Sequence, residues 1–422
     1  MKCRFCGTRL DDTHVDGDTA ARGKESQIFL DLGTAPPSNA FLTREELAAP
    51  ETWFPLKLYT CPTCLLVQVD EVQSHAAIFS PDYVYFSSYS RSWLAHAEHY
   101  VNTVVRRLGL STDSLVVEIA SNDGYLLQYV SGCGIPCIGI EPTASTAQAA
   151  RERGIETISE FFGQRFAQDF VASRRKADLI VANNVLAHVP DLNDFVSGLA
   201  TALAPQGTVT IEFPHLQQLV AQRQFDTVYH EHFSYFSLHT VRTVFATHGL
   251  RIWDVEQLPT HGGSLRIWAS HDTSHHQNTN AVTAVLAEER AAGMLELDYY
   301  RGFQTQADEV KDGLLLFLLE QRRLGCKVIG YGAAAKGNTL LNYAGVRPDL
   351  LPYVVDASPH KQGRYLPGSR IPVVAEQQLR TDRPNIVLIL PWNLREEITS
   401  QLAYIREWGG RFATAVPHMV IS

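Results

Sequence analysis

Apolar and polar positions set up a repeating rhythm over the middle of this chain. Between residues 113 and 270 short β-branched runs recur, each closed by a turn and followed by a helix-like stretch. Residues 115–120 (LVVEIA) make the first run, Ser121, Asn122, Asp123 and Gly124 the turn, and residues 125–130 the helix. Further runs fall at 135–140, 178–182 and 208–213, and a shorter one precedes Ser159. That alternation predicts a parallel, doubly wound sheet. Runs at 250–258 and 264–270, joined through His261, Gly262 and Gly263, predict two closing strands. Upstream, residues 93–108 read as a helix. Downstream, residues 280–324 read as long helices with an apolar seam at 314–319. A strand, a Gly-rich turn and a helix start then appear at 326–339, with further strands at 353–356 and 385–390. This last region predicts a second, smaller Rossmann-like unit.

At 422 residues the chain has room for roughly three domains. We expect a segment at 1–75, a larger α/β domain at 76–279, and a helical connector with a smaller α/β domain at 280–422. A hydrophobic fraction of 45% and a charged fraction of 19% are ordinary for a globular protein. The net charge of −9 argues against nucleic acid or an anionic membrane as partner. The apolar run at 314–319 is far below the roughly 18 residues a membrane span needs. The N-terminus lacks the apolar core of a signal peptide. A cytoplasmic protein, acting as a monomer on a small molecule, is the expectation.

Seven cysteines, an odd number, fit metal binding better than a disulfide framework. Cys3 and Cys6 form one C-x-x-C pair, Cys61 and Cys64 another. Two such turns complete a tetrahedral four-cysteine zinc site with no open position, so the metal would be structural. The alternative is a redox C-x-x-C. The 54 residues between Cys6 and Cys61 exceed the usual gap and predict an inserted loop or hairpin. His14 and His75 are further candidate ligands, unneeded by that set.

In folds of the central type, the loop after the first strand lets the backbone approach a nucleotide cofactor, and an acid ending the second strand binds ribose hydroxyls. Glu118, Ala120, Asn122, Gly124 and Leu126 belong to the first element. Glu141, 23 residues after Glu118, is the acid, followed by Pro142. The usual first glycine is Ala120 here. Phe161 and Phe162 are placed to flank an adenine. Asn183, Asn184 and His188 fall at the C-terminal edge of the next strand, where open α/β sheets bind ligands. The cofactor is S-adenosylmethionine or NAD. The closing strand pair is the shape of a class I methyltransferase and favours the former, as does the lack of a clean G-x-G-x-x-G.

Tyr229, His230, Glu231 and His232 pack a phenol, two imidazoles and a carboxylate into four residues. No H-E-x-x-H is present, so general acid/base work suits them better than a metal; a histidine titrates near working pH and a carboxylate can hold its tautomer. A surface loop with incidental histidines is the plainer alternative, and a helix-face histidine the plainer one for His188. Tyr83, from an aromatic cluster at 79–92, could reach the same site; such clusters are often packing. In the C-terminal region Gly330, Gly332 and Ala335 match G-x-G-x-x-A. Gly332, Ala333, Lys336, Gly337 and Asn338 would cradle a diphosphate, unless the segment is only a structural turn. Asp356 ends the next strand.

These residues are recognisable together. VEIASNDG, GIEPT, NNVLAHVPD and YHEHFSYFS, with YGAAAKGNTLLNY, DASPHKQGRYLPG and LPWNLREEI, resemble the three-domain sugar C-methyltransferases of deoxysugar biosynthesis. The paired C-x-x-C matches that family's zinc domain, and the likeness covers essentially the whole chain. It implies S-adenosylmethionine as methyl donor, a structural zinc, and a thymidine-diphosphate-linked 4-keto sugar as substrate. His232 would be the base at C3. Tyr229, Glu231, His188 and Tyr83 would polarise the keto oxygen, hold the base or position the sugar. Asp356, Lys361 and Arg364 would help hold the nucleotide. C3 versus C5 methylation and a 3-amino versus 3-hydroxy sugar stay open. An NAD(P)-dependent oxidoreductase using the C-terminal loop, O- or N-methylation of the same sugar, and a binding module without chemistry are the competing readings.

Overall fold

The computed structural model describes residues 1–10, 27–72 and 86–422. His14, His75 and Tyr83 lie outside the described residues. Three sheets organise the rest. The first joins β1 (Ile28–Ala35), β2 (Phe54–Thr60) and β3 (Val67–Val69) as an antiparallel meander. Within the described part of the gap between the C-x-x-C turns, β1 and β2 form a hairpin.

The central sheet is built from β4 (Val116–Ile119), β5 (Cys137–Ile140), β6 (Thr157–Ile158), β7 (Ala177–Asn183) and β8 (Leu203–Pro214). Between β8 and the closing strands the chain sends β9 (Ser234–Tyr235) back to pair with β3 of the first sheet. It then adds β10 (Leu250–Leu258) and β11 (Ser264–His271). The order is β10-β11-β8-β7-β4-β5-β6, with β11 running antiparallel between β8 and β10. This is the class I methyltransferase order that the closing strand pair predicts. β4 is buried along its whole length because helices cover both faces, which is why, Glu118 apart, it reads as an apolar run and not as an alternation.

The third sheet holds β12 (Val328–Tyr331), β13 (Val354–Val355), β14 (Val373–Val374), β15 (Ile386–Ile389), β16 (Arg411–Thr414) and β17 (Val420–Ile421). Its order, β14-β13-β12-β15-β16-β17, is Rossmann-like, parallel except for the last pair. The predicted connector is two helices, Asn280–Ala291 and Phe303–Arg323. Among the described residues no helix is long and apolar enough to cross a membrane.

Core packing stitches these sheets together rather than leaving them as beads. Cys3, Cys61 and Cys64 share a buried cluster with Ala182 and Phe213 of the central sheet and with Leu186 just after β7. Phe29, Leu30 and Leu56 of the first sheet share another with Phe303, Leu340 and Leu388 of the C-terminal unit. Phe29 stacks on Phe303 with ring centroids 4.8 Å apart. Truncating so buried an aromatic costs about 3–5 kcal/mol, and here the loss would fall on the joint between the first and third sheets.

Candidate active site

A cavity of about 1100 Å³ opens where the C-terminal edge of the central sheet meets the first helix turn of the third. Its wall includes Glu141, Phe161, Phe162, Asn183 and Asn184 at one end, His188, Tyr229, Glu231 and His232 in the middle, and Ala334, Lys336 and Lys361 at the other.

At the first end the chain turns sharply after β4. Ala120 and Asn122 both take left-handed φ, +52° and +50°, and Asn184 after β7 does the same at +56°. Such angles are costly for residues with a Cβ, so their recurrence around one cavity, where His261 is a fourth, marks strain held by the surrounding packing. Glu141 follows β5. Its carboxylate accepts Asn122 N–H at 2.9 Å and Thr143 N–H at 2.8 Å. Burial raises its pKa, and those backbone donors work in the opposite direction. The group is thus aimed at the cavity with lone pairs left for a diol. Asn183 and Asn184 each leave a buried side-chain oxygen without a hydrogen-bond partner. Anchored carboxylate, orphaned acceptors and the flanking Phe161 and Phe162 fit an adenosyl ligand carrying ribose hydroxyls and an amino group.

Three residues expected in that set do not face the cavity. Glu118 lies behind Tyr125, fully buried, and its carboxyl is held well above the usual range by burial. Leu126 belongs to the core under the sheet. Gly124, at φ +76°, is required because a Cβ there would press on Ile155 and Ala150; it shapes the turn from behind. Ala120, Asn122 and Pro142 line the wall as expected.

The middle of the cavity carries the reactive cluster. His232 Nδ1 donates to the Thr227 carbonyl at 3.1 Å. That fixes the proton on Nδ1, so Nε2 accepts from the Tyr229 hydroxyl at 2.8 Å. His188 Nδ1 donates to the Glu231 carbonyl at 2.7 Å, and its ring sits edge-on to His232 at 4.7 Å. Burial pushes His232 well below the ordinary histidine value, helped by His188 and Lys336. Burial likewise lowers His188 to about 4. Both imidazoles are neutral at pH 7, the form that accepts a proton. The tautomer of His232 is held by a backbone carbonyl, not by the neighbouring carboxylate that the sequence suggests for that task. Glu231 is instead raised to about 7 by burial, and both its oxygens accept from Asn39 Nδ2 at 2.8 Å. His230 points away and meets the Pro55 carbonyl at 3.1 Å.

At the far end the Gly-rich loop is used differently from the diphosphate cradle expected of it. Gly332, at φ +88°, is demanded by Pro391, whose Cδ would lie 2.4 Å from an added Cβ. Ala333 N–H is already donated to Asp356 at 2.7 Å, and Lys361 donates to the Ala333 carbonyl at 2.8 Å. Gly337 packs on Leu390. Asn338 donates to the Ser38 carbonyl at 2.6 Å. Arg364 is exposed and outside the cavity. What faces the cavity is the start of the Ala335–Tyr343 helix, which has no side-chain cap, together with Lys336 and Lys361. Lys336 donates to Asn393 at 2.7 Å and lies over the Trp392 ring. Burial lowers its pKa, opposed by Asp226.

Among the cavity residues to which the sequence reading gives no role, His261 and Asn39 touch the polar groups of the site. His261, read there only as part of a turn, faces the cavity at φ +55°, and its Nε2 accepts from Asn184 Nδ2 at 3.3 Å. Asn39 arrives from the first segment. Its sequence context, Pro36-Pro37-Ser38-Asn39, signals a turn but not what the turn faces.

The four sulfurs of Cys3, Cys6, Cys61 and Cys64 lie within 4.8 Å of one another. Cys3 and Cys64 approach to 3.5 Å, as do Cys6 and Cys61. Tetrahedral Zn²⁺ with bonds of about 2.3 Å needs S···S spacings of about 3.8 Å, so the set fits zinc. Both turns are built alike. Gly7 N–H donates to the Cys3 carbonyl and Leu65 N–H to the Cys61 carbonyl, and Gly7 and Leu65 each take positive φ. Beside the cluster, Arg4 donates to the Pro190 carbonyl at 3.0 Å, and Pro190 is part of the cavity wall.

Fold and site together define a methyltransferase of the class I fold with a zinc-binding segment before it and a second α/β unit after it. Family descriptions match in the same succession: a putative zinc binding domain over residues 21–79, a methyltransferase domain over 93–255 and a C-methyltransferase C-terminal domain over 259–417. The chain is 35% identical to the C-methyltransferase NovU of Streptomyces niveus over 416 residues, covering 99% of this chain and 95% of that protein. It belongs to this family of S-adenosylmethionine-dependent C-methyltransferases. Among solved structures, magnesium protoporphyrin IX methyltransferase from Synechocystis PCC 6803 with bound SAM shares 16% identity, covering 45% of this chain and 86% of that one at a TM-score of 0.33. A putative methyltransferase in complex with the Haloferax volcanii Trm112 activator shares 14%, covering 43% and 92% at 0.36. Likenesses that partial add nothing to the strand order itself.

Proposed function

We propose that this enzyme methylates C3 of a thymidine-diphosphate-linked 4-keto deoxysugar through an enolate formed in the cavity. The observation that carries the reading is the neutral, tautomer-fixed His232 midway between an adenosyl-type wall and a cationic, uncapped helix start. Glu141 would take the ribose hydroxyls, with Asn183 and Asn184 accepting from the donor's amino group or sugar. When bound, S-adenosylmethionine supplies an electrophilic methyl group on a sulfonium. The first turn of the Ala335–Tyr343 helix, Lys336 and Lys361 would hold the diphosphate by backbone N–H groups and two charges. Binding there orients the sugar against His232.

A 4-keto group acidifies the C3 hydrogen. When the sugar binds, the Tyr229 hydroxyl turns from His232 Nε2 to the keto oxygen. The freed lone pair on Nε2 takes the C3 proton, and the C–H electron pair becomes the C3–C4 double bond as charge moves to oxygen. Tyr229 stabilises that oxygen by its hydrogen bond. C3 of that enolate is the nucleophile for the methyl group that S-adenosylmethionine, held by Glu141, would supply, the S–CH3 electron pair staying with the thioether. His232 returns its proton to solvent.

Incubating the purified protein with S-adenosylmethionine and a thymidine-diphosphate 4-keto-6-deoxysugar, with mass and NMR analysis of the product, tests the proposal. The expected product carries a new C–CH3 at C3. A product methylated on oxygen or nitrogen, or methylation only of acceptors lacking a nucleotide diphosphate, would reject it.

A further inference from the structure

The zinc segment does more than brace the fold. After Pro36, residues Pro37, Ser38, Asn39 and Ala40 form a tight turn beyond β1, closed by Ala40 N–H donating to the Pro37 carbonyl at 3.1 Å. Three contacts hold that turn against the C-terminal unit. Ser38 accepts from Asn338 at 2.6 Å, Leu42 exchanges backbone bonds with Tyr365, and Lys361 sits over the Phe41 ring. A rigid Pro-Pro entry pinned on three sides leaves the Asn39 side chain little freedom. It reaches into the reaction cavity and meets both Glu231 oxygens at 2.8 Å.

We propose that Asn39 is a positioning residue of the active site: the zinc segment delivers its amide into the cavity to orient the Glu231 carboxylate beside His232 and His188. The role in turnover rests on the reading under Proposed function; the Asn39–Glu231 contact does not. The other titratable groups on the same cavity wall are His188, Tyr229, His232, His261, Lys336 and Lys361, with Tyr125, Glu141, Glu160, Arg165, Asp169, Asp191 and Asp194 beyond them. Burial and the Asn39 amide are what set the Glu231 carboxyl, and Asn39 is the donor that opposes burial there. A hydrogen bond to a charged group is worth enough to move a pKa by about one to two units.

The test uses the zinc-loaded full chain. First, the Glu231 carboxyl is titrated by infrared difference spectroscopy against Glu231→Gln, with no substrate present. Asn39→Ala should move its midpoint up by about one to two pH units, and Asn39→Ser, which keeps a small donor, should restore part of that shift. Second, kcat and KM are followed against pH. The kcat limb assigned to Glu231 should move with the midpoint while KM for S-adenosylmethionine stays within about twofold. Third, Asn39→Ala should cost nothing further in a Glu231→Gln background. An unmoved midpoint in Asn39→Ala, an unmoved kcat limb, or losses that simply multiply in the double variant would each overturn the proposal. If the midpoint moves but no 4-keto sugar is methylated, the substrate reading fails while the Asn39–Glu231 link stands.

Discussion

The two Rossmann-like sheets of this chain use the same latch and put it to different ends. In the central sheet the acid after the second strand, Glu141, accepts one N–H from the loop after the first strand, that of Asn122, and one from two residues on, Thr143. In the C-terminal sheet Asp356 does the same with Ala333 and Ser358. Glu141 is one methylene longer, faces the cavity, and has no cation within ion-pair distance among the described residues. Asp356 stays off the cavity wall and lies 3.8 Å from Lys361. A neutralised acid closes a loop on itself. An unneutralised one, buried at the rim, keeps lone pairs and charge for a ligand. Strand-end position alone does not tell these apart; the neighbouring cation does.

If chemistry sits on the cavity fixed by the central sheet, the largest effect belongs to His232. His232→Asn should lower kcat by about 10²–10⁴-fold with S-adenosylhomocysteine affinity, read by calorimetry, unchanged. Turnover within tenfold of wild type in a folded variant would move the base elsewhere. Next comes Glu141→Ala. Two hydroxyl contacts to a charged group are lost, so cofactor affinity should fall about 10–100-fold, while thymidine diphosphate binding is untouched. Equal weakening of both ligands would mean that the two ends of the cavity are not separable.

The division of the fold was open to reading because β-branched runs and turn residues carry it locally. The central strands, the closing β10–β11 pair and the four-cysteine set follow from short-range pattern and spacing. β1, β2, β3 and β9 are less legible: β9 is only two residues long, and its pairing with β3 spans most of two domains. The same physics explains why loop spelling does not by itself place a residue on the cavity wall. Gly332, Gly337 and Asn338 carry a phosphate-loop spelling, yet their neighbours are Pro391, Leu390 and the Ser38 carbonyl. A glycine required by close approach looks the same whether a ligand or a proline approaches. Asn39 and Glu231 are 192 residues apart, and no local signal links them.

Asp356 sharpens the comparison from the other side. Asp356→Ala frees Ala333 and Ser358 N–H and strips Lys361 of its counter-charge. It should cost about 1–3 kcal/mol of stability, read as a lower denaturation midpoint, while cofactor affinity stays within about twofold. A loss of cofactor binding comparable to that of Glu141→Ala would erase the distinction between latch and ligand.

The smallest effect concerns the carboxyl between the two sheets. Burial raises Glu231 from its ordinary value near 4.5 to about 7. The folded chain therefore holds this proton over a pH range where the unfolded chain has released it. Stability contributed by the protonated form is complete below about pH 4.5. It declines as pH rises toward 7 and is gone above it. Glu231→Gln removes the titration and keeps a hydrogen-bonding shape. At pH 8 the variant should melt about 1–3 °C above the wild type, given the unfolding entropy of a chain this long; at pH 5 the two should melt together. The catalytic cost, seen in the same preparation as lower kcat, would show a site whose buried acid is kept for chemistry at the expense of the fold. A pH-independent difference would instead mean that the fold leaves the Glu231 carboxyl at its ordinary pKa, with Asn39 a packing contact and nothing more.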